Sequence, residues 1–359
     1  MRSWRAPSLF ALALVLVQVV ASLAGRSQYL TQLTMAGYYA LPILGLTLLM
    51  GHAGQVSIGH AGFFAIGGYV AAFLTTGNLA GRGQERWVQA LARLGLLSAG
   101  QDAFGSPSLV VRPWPACLLA LALAGAVAYA IGKPVLRLKG HFLAMATLGF
   151  GTIVYRLVLG SSALGAADGI SDVPAFWLVP GLVVGGRAAL RVSNYYVAWG
   201  LVLVTMILLG NLVRSRVGRA LRAIHGAEDA AAASGVDTQS AKLKMFVLSA
   251  VLAALGGAFL AHYNGGIGPS EASIMKSVRM VSIVAIGGMA NLWGSLVMGV
   301  LLNFLSLRGA FGSYDDAVFA CILLAIMLFS PQGLLRADLA RPLTSALLRS
   351  LRRPRGQTP

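Results

Sequence analysis

Charged residues are scarce in this chain, and acidic ones most of all. Among 359 residues there are 11 Asp+Glu against 28 Lys+Arg, a net charge of +17, and charged residues make up only 11% of the sequence. Hydrophobic residues account for 57%, with a mean hydropathy of +0.76. Since soluble domains carry about 25% charged residues, this composition excludes that class. It predicts a polytopic membrane protein whose basic residues flank spans on the cytoplasmic side, and no nucleic-acid partner.

Other features that the sequence lacks narrow its function. The two cysteines, Cys117 and Cys321, lie in apolar runs and predict no disulfide. No GxxxxGK[ST] loop is present, so any ATP and Mg²⁺ are expected on another chain. All 11 carboxylates are predicted in loops or at span ends, with none buried mid-membrane. Ion-coupled carriers usually need such a group, although helix dipoles and carbonyls can also bind Na⁺. We predict no catalytic residue, metal site or bound cofactor.

Long apolar runs dominate the sequence and predict an all-α transmembrane helix bundle of about ten spans. Two of them, the third and the eighth, are short, which is typical of broken or re-entrant helices. We predict one transmembrane domain, 1–335, and a basic tail, 336–359. The first run could instead be a signal peptide cleaved near Ala24, but cleavage would upset the topology below. The runs are 8–24, 33–50, 61–75, 114–132, 141–160, 195–213, 245–263, 278–289, 292–307 and 317–330.

The distribution of charge predicts that both termini are cytoplasmic. The segment 214–244 and the tail then lie inside, whereas the loops 77–112 and 161–193 lie outside. The loop 77–112 is an exception, because it carries four arginines against two acidic residues. Long loops obey the positive-inside rule less strictly.

A glycine-interrupted segment, GHAGQVSIGHAGFFAIGGY at 51–69, joins the second and third runs. Its glycines permit sharp turns, and its polar residues would lie near the membrane. Two readings stay open: a broken helix lining a substrate path, or a glycine-packed hairpin whose histidines cap backbone carbonyls. For the histidines the second is favoured. A looser break of the same kind occupies 287–299. The candidate pathway residues are Gly51, Gly54, Gln55, Ser57, Gly59 and His60, with Thr147 and Gly149 from the fifth run.

The segment 214–244 is an island of charge between two apolar runs. Within it a short alanine-rich helix is predicted, with acidic residues in its first turn and a glycine at its end. Such a thin helix would fit a groove on another protein, although a solvated connector would look similar. The candidate coupling residues are Glu228, Asp229, Ala230, Ala231 and Gly235.

Several motifs in order resemble the permeases of branched-chain amino acid ABC importers, most closely the M-type (LivM-like) subunit. The resemblance covers about 33–335. The motifs are Gly51-x2-Gly54-x4-Gly59-His60, the run 136–140, Ala146-Thr147-Leu148-Gly149-Phe150, the run 218–224, the run 242–250, Gly287-Gly288 with Leu292-Trp293-Gly294, and the ending 329–334.

This resemblance implies a multi-pass subunit of the bacterial inner membrane, set in lipid. Its implied partners are an H-type permease, two ATP-binding subunits and a periplasmic solute-binding protein. The helix around Glu228–Gly235 would dock on the ATPase. The implied solute is leucine, isoleucine or valine. Two departures, Gly165-Ala166-Ala167 where relatives carry Gly-Gly and the long loop 77–112, bear on substrate and partner fit.

Three alternatives remain at this stage. Relatives of the family carry urea, short amides or other amino acids. An ion-coupled secondary transporter or a purely structural membrane subunit would also fit the composition.

Overall fold

The structure is a computed structural model that describes residues 5–101, 107–137, 141–179, 181–310 and 312–329. The predicted basic tail, 336–359, lies outside the described residues, as do the motif residues 138–140 and 330–334. The described chain is mostly helical, and each of the ten predicted apolar runs is a helix. The helices are α1 Arg5–Leu23, α2 Gln28–Ala53, α3 His60–Thr76, α4 Arg86–Arg93, α5 Pro113–Val135, α6 His141–Gly160, α7 Arg191–Arg214, α8 Arg216–Gly226, α9 Glu228–Ala233, α10 Thr238–Asn264, α11 Ile274–Gly287, α12 Leu292–Leu307 and α13 Asp315–Phe329.

Within the described ranges, five helical segments are long and apolar enough to cross a membrane: Gln28–Ala53, Pro113–Val135, His141–Gly160, Ala188–Arg214 and Thr238–Asn264. The two short runs expected from the sequence are α3 and α11, with 17 and 14 residues. Two further helices, α12 and α13, are also short, with 16 and 15 residues. A helix of 15 residues is only about 22 Å long, less than the roughly 30 Å of a hydrocarbon core.

Short strands qualify the all-α prediction. They are β1 Leu97–Gln101, β2 Pro107–Val111, β3 Ile170–Ser171, β4 Phe176–Val179, β5 Leu182–Val184 and β6 Gly266–Ile267. They form three two-stranded antiparallel sheets, β1–β2, β3–β6 and β4–β5. All lie at one end of the bundle, here the sheet end, where α10 finishes and α7 begins. The opposite end carries α8 and α9 and is called the α9 end.

The centre of the bundle is α10, which packs on α2, α3 and α5. Small residues allow the backbones to approach. A Cβ on Gly67 of α3 would collide with the backbone of Ala254, and a Cβ on Gly257 would collide with the carbonyl of Phe64. Between helices in lipid there is no hydrophobic driving force, so close packing of this kind holds the helices together.

The two glycine breaks predicted in separate halves of the chain lie against each other. Gly51, near the end of α2, packs on the backbone of Met289 and Ala290 in the turn between α11 and α12. Within that turn, Gly287 packs on Gly294 and Ser295. The tightness of both contacts explains why glycine occupies these positions.

The packing of α3 on α10 gives a testable prediction. Gly67→Ala places a Cβ against backbone atoms of Ala254, which cannot rotate away. We expect a loss of about 1–3 kcal/mol of stability, because overpacking forces a backbone shift. It should appear as a lower thermal midpoint of the purified protein in detergent.

The matched control is Gly200→Ala in α7, where an added Cβ meets no atom within 4 Å. It should keep or slightly raise the midpoint, since alanine favours helix. Equal midpoints for the two variants would contradict the packing described here.

Candidate functional site

A six-residue break separates α2 from α3. Gly54 ends α2 in the left-handed conformation, with φ of 66°, and its N–H bonds to the carbonyl of Leu49. At the other side of the break, a Cβ on Gly59 would collide with the carbonyl of Thr147 in α6. One glycine is therefore required by the turn and the other by close approach.

Backbone groups at the break bond to side chains of two other helices. The N–H of Ile58 donates to Thr147 Oγ1 at 3.0 Å, and the N–H of Ala61 donates to Ser277 Oγ of α11 at 3.2 Å. Buried backbone groups need such partners, because an unpaired one costs as much as a lost hydrogen bond. The break is thus stabilised by the surrounding bundle.

His60 lies at the middle of this cluster. Its Nδ1 is 3.0 Å from Ser57 Oγ, and its Nε2 is 2.7 Å from Ser249 Oγ of α10. Both ring nitrogens therefore have partners, which supports a structural histidine over a free ligand. We call Ser57, His60, Thr147, Ser249 and Ser277 the polar junction; none of them is more than 2% exposed.

Gln55 lies beside the polar junction, within the break. It is 2% exposed, and neither its amide oxygen nor its amide nitrogen has a hydrogen-bond partner among the residues that the structure describes. Buried polar groups are rarely left in this state. Of the predicted pathway residues, Gln55 is therefore the one with unused capacity to bind.

Of the other predicted pathway residues, Ser57, His60 and Thr147 belong to the polar junction, and the four glycines do not. Gly51, Gly54 and Gly59 shape the break, whereas Gly149 lies apart from it. Gly149 lines an apolar groove of about 790 Å³ between α3, α5 and α6. Sequence reasoning missed Ser249 and Ser277, because a serine within an apolar helix gives no signal until its partner is known.

The predicted coupling segment forms two helices, α8 and α9. Ser215 caps α8 by accepting from the N–H groups of Val217 and Gly218, and Gly235 follows α9 with φ of 83°. The five predicted residues do not share one face. Glu228 forms an ion pair of 2.5 Å with Lys242 of α10, and Ala231 is buried. The residues exposed on and after α9 are Asp229, Ala230, Ala232, Ala233, Ser234 and Gly235.

Two contacts connect this segment to the break. His225 of α8 lies against Gly54, where an added Cβ would be 2.9 Å from the ring Nδ1. On the other side, α9 is tied through Glu228 to Lys242, and the same helix α10 carries Ser249 of the polar junction. The segment of α8 and α9 is therefore in contact with the end of α2 at Gly54, and with the helix that carries Ser249.

Glu271 was predicted in a loop or at a span end, with no carboxylate buried mid-membrane. It lies in the connection between α10 and α11, as predicted, on the 3₁₀ turn Pro269–Ala272, which packs against α3, α6 and α11. Its side chain is only 15% exposed and pairs with Lys276 at 3.0 Å. The turn follows β6 back into the bundle, an arrangement that hydropathy alone does not reveal.

Long apolar helices, interrupted helices and a buried polar cluster at an interruption define a multi-pass helical membrane protein of the permease kind. Residues 28–330 match the family described as "Branched-chain amino acid transport system / permease component". The chain belongs to this family.

Its relatives include LivM of Escherichia coli K12, a high-affinity branched-chain amino acid transport system permease protein. That protein is 28% identical over 84% of this chain and 68% of its own length. LivH of the same strain is 25% identical over 86% of this chain and 94% of its own. BraD of Pseudomonas aeruginosa PAO1 is 26% identical over the same shares. No solved structure gives a significant match.

The polar junction gives a second prediction. Ser249→Ala removes the partner of His60 Nε2 at a site that water does not reach. We expect a loss of about 1–3 kcal/mol, the cost of one buried unsatisfied group, measured as a lower thermal midpoint.

Ser282→Ala in α11 is the matched control. Ser282 is also buried, but its hydroxyl donates to the carbonyl of Val278 in its own helix. This variant should change the midpoint less than Ser249→Ala. A larger effect at Ser282 would argue against the role assigned to the Ser249–His60 bond.

Proposed function

We propose that this chain is the permease subunit of an ATP-binding cassette importer for leucine, isoleucine and valine, and forms half of the translocation pathway. Family membership and the names of its relatives support this function. The chain resembles both LivM and LivH, so a second, H-type permease is the expected other half.

The observation that carries the coupling part is the exposed small-residue face at α9. Ala230, Ala232 and Ala233 leave the backbone of a short helix accessible to another protein. A groove on an ATP-binding subunit would accept this helix, and α8 would pass its displacement to Gly54. In this proposal ATP and Mg²⁺ bind to two partner ATPase subunits, and this chain binds no cofactor and catalyses no reaction.

The topology follows from the same assignment. The α9 end lies in the cytoplasm, both termini are cytoplasmic, and all ten apolar helices reach into the inner membrane. The sheet end then lies in the periplasm, where a solute-binding protein delivers its ligand. The helix α4 and the hairpin β1–β2 fill the long loop 77–112 and add surface for that contact.

The main competing function is an ion-coupled carrier. The partly buried Glu271 favours it more than the sequence did, because an intramembrane carboxylate is a common carrier of protons or cations. The ion pair with Lys276 argues against a carrier, since the charge of a paired carboxylate is already neutralised. Family members that carry urea, short amides or other amino acids are a narrower alternative.

Reconstituted uptake separates these functions. The chain is assembled with an H-type permease, the ATPase subunits and the binding protein in proteoliposomes, and uptake of labelled leucine is measured. We expect uptake to require ATP and loaded binding protein and to persist when ion gradients are collapsed. Uptake that fails with an ionophore but continues without ATP would establish the carrier instead.

The coupling role gives a third prediction. Ala233→Trp puts a bulky side chain on the exposed face of α9 without changing buried contacts. We expect ATP-driven uptake to fall at least about tenfold, a loss of about 1.4 kcal/mol or more of subunit docking, while insertion stays normal.

Ala233→Ser is the matched control, since it keeps the side chain small, and it should transport at nearly the normal rate. Copurification of the ATPase subunits with each variant reports docking directly. Full uptake and normal copurification for Ala233→Trp would exclude α9 as the docking element. Gly235 is a poorer position for this test, because its positive φ strains any other side chain.

A further inference from the structure

A three-residue polar cluster lies away from the polar junction, between α2, α11 and the turn Pro269–Ala272. The Tyr39 hydroxyl of α2 donates to Glu271 Oε1 at 2.9 Å. Lys276 Nζ of α11 donates to the same hydroxyl at 2.9 Å and to both oxygens of Glu271 at 3.0 and 3.1 Å. We call Tyr39, Glu271 and Lys276 the charge cluster.

The charge cluster lies deep in the bundle. Tyr39 is the twelfth of the 26 residues of α2. At 1.5 Å per residue it is therefore about 17 Å from one end of that helix and about 21 Å from the other. Full charges at such depth are costly and, in membrane proteins, usually mark a pathway.

Stability alone does not account for these charges. A buried ion pair rarely stabilises a protein more than a well-packed apolar pair would, because both ions lose their hydration. The pair is also partly exposed, because the Glu271 side chain is 15% exposed and the Lys276 side chain is 25% exposed. Both charges therefore remain within reach of a solute.

Aromatic rings and a spare hydroxyl surround the charge cluster. Lys276 Nζ lies 4.3 Å from the centre of the Tyr39 ring, which stacks on Phe64 of α3. The hydroxyl of Tyr69, also on α3, is buried without a hydrogen-bond partner among the described residues. It has unused capacity to bond to a ligand.

We propose that the charge cluster is a recognition site for the zwitterionic backbone of an amino acid. The ammonium group of the solute pairs with Glu271, its carboxylate pairs with Lys276, and Tyr39 bonds to either group. One internal ion pair is exchanged for two with the solute, so no net charge is added to the membrane interior. In the empty protein each residue neutralises the other. This inference rests on the proposed import function and adds to it the residues that would recognise the solute.

The same chemistry selects against other solutes of the family. Urea and short amides carry neither charge, so they would separate Glu271 from Lys276 without replacing the lost pair. Leaving two buried charges unpaired costs more than neutral hydrogen bonds return. The site therefore favours amino acids over neutral amides, and its apolar surroundings favour side chains without charge.

The test uses the assembled importer in proteoliposomes, with labelled leucine, ATP and loaded binding protein. Glu271→Gln and Lys276→Gln are each compared with wild type. We expect uptake to fall at least about tenfold in each, because each loses a hydrogen-bonded charge partner for the solute. ATP hydrolysis stimulated by the loaded binding protein should stay within about twofold of wild type, because neither substitution lies on α8 or α9, where the ATPase subunits are proposed to dock.

A second ion pair on α11 provides the control for a purely structural role. Arg279 lies 3.7 Å from Asp315 of α13. Asp315→Asn removes that pair and leaves the charge cluster intact, so leucine uptake should stay near the wild-type rate.

The double variant Glu271→Lys with Lys276→Glu separates recognition from structure. It restores an ion pair, so a purely structural pair would recover uptake. A recognition site would not, because the zwitterion would have to reverse and its side chain would point the other way. Recovery of uptake in the double variant, or normal uptake in both single variants, would overturn the inference.

Two further outcomes keep this inference distinct from the proposed function. If the single variants fail to assemble, the double variant decides: assembly without uptake supports recognition, and assembly with uptake refutes it. If wild type itself takes up no leucine with its binding protein present, the proposed import function fails first, and the recognition site fails with it.

Discussion

The constraint on which this structure most depends is that backbone groups inside an apolar bundle must find partners within the protein. The six residues between α2 and α3 interrupt a helix within the bundle, and several of their neighbours are buried. Thr147 and Ser277 accept from backbone N–H groups at the break, and Ser249 bonds to the ring of His60, so three different helices hold it. Each of these serines and threonines would look incidental in its own helix, yet together they let the chain interrupt a span without a large energetic cost. The break can exist only in the assembled bundle.

Glycine makes this arrangement possible in a second way. At Gly51, Gly67 and Gly257 the chain needs close approach between helices more than it needs an unusual dihedral angle. Gly54 needs the dihedral angle, and it also leaves room for His225. The segment of α8 and α9 lies against the break where a side chain is missing at one position. An alanine at Gly54 would be strained by the positive φ and would press on the His225 ring.

Much of the architecture was predictable from hydropathy, because ten apolar runs mark ten helices and charge marks the segment with α8 and α9. The contacts between individual residues were not predictable. Nothing in the sequence indicates that Glu228 bonds to Lys242 rather than to another protein, or that Gly149 faces an apolar groove away from Thr147. Glu271 shows the limit most clearly. A carboxylate beside Pro269 and Ser270 reads as a loop residue, and only the return of β6 and the following turn into the bundle places it beside Tyr39.

The two polar clusters are joined by adjacent residues of one helix. Ser277 holds the N–H of Ala61 in the polar junction, while Lys276, its neighbour, holds Glu271 and Tyr39 in the charge cluster. The helix α3 connects them a second time, since it begins at His60 and carries Phe64 against Tyr39. A shift of α11 relative to α3 that loosens one cluster must therefore change the other. If α8 and α9 move the break from the α9 end, the same movement reaches the buried ion pair. Binding at the ion pair would equally bias the break, because coupling between two sites acts in both directions.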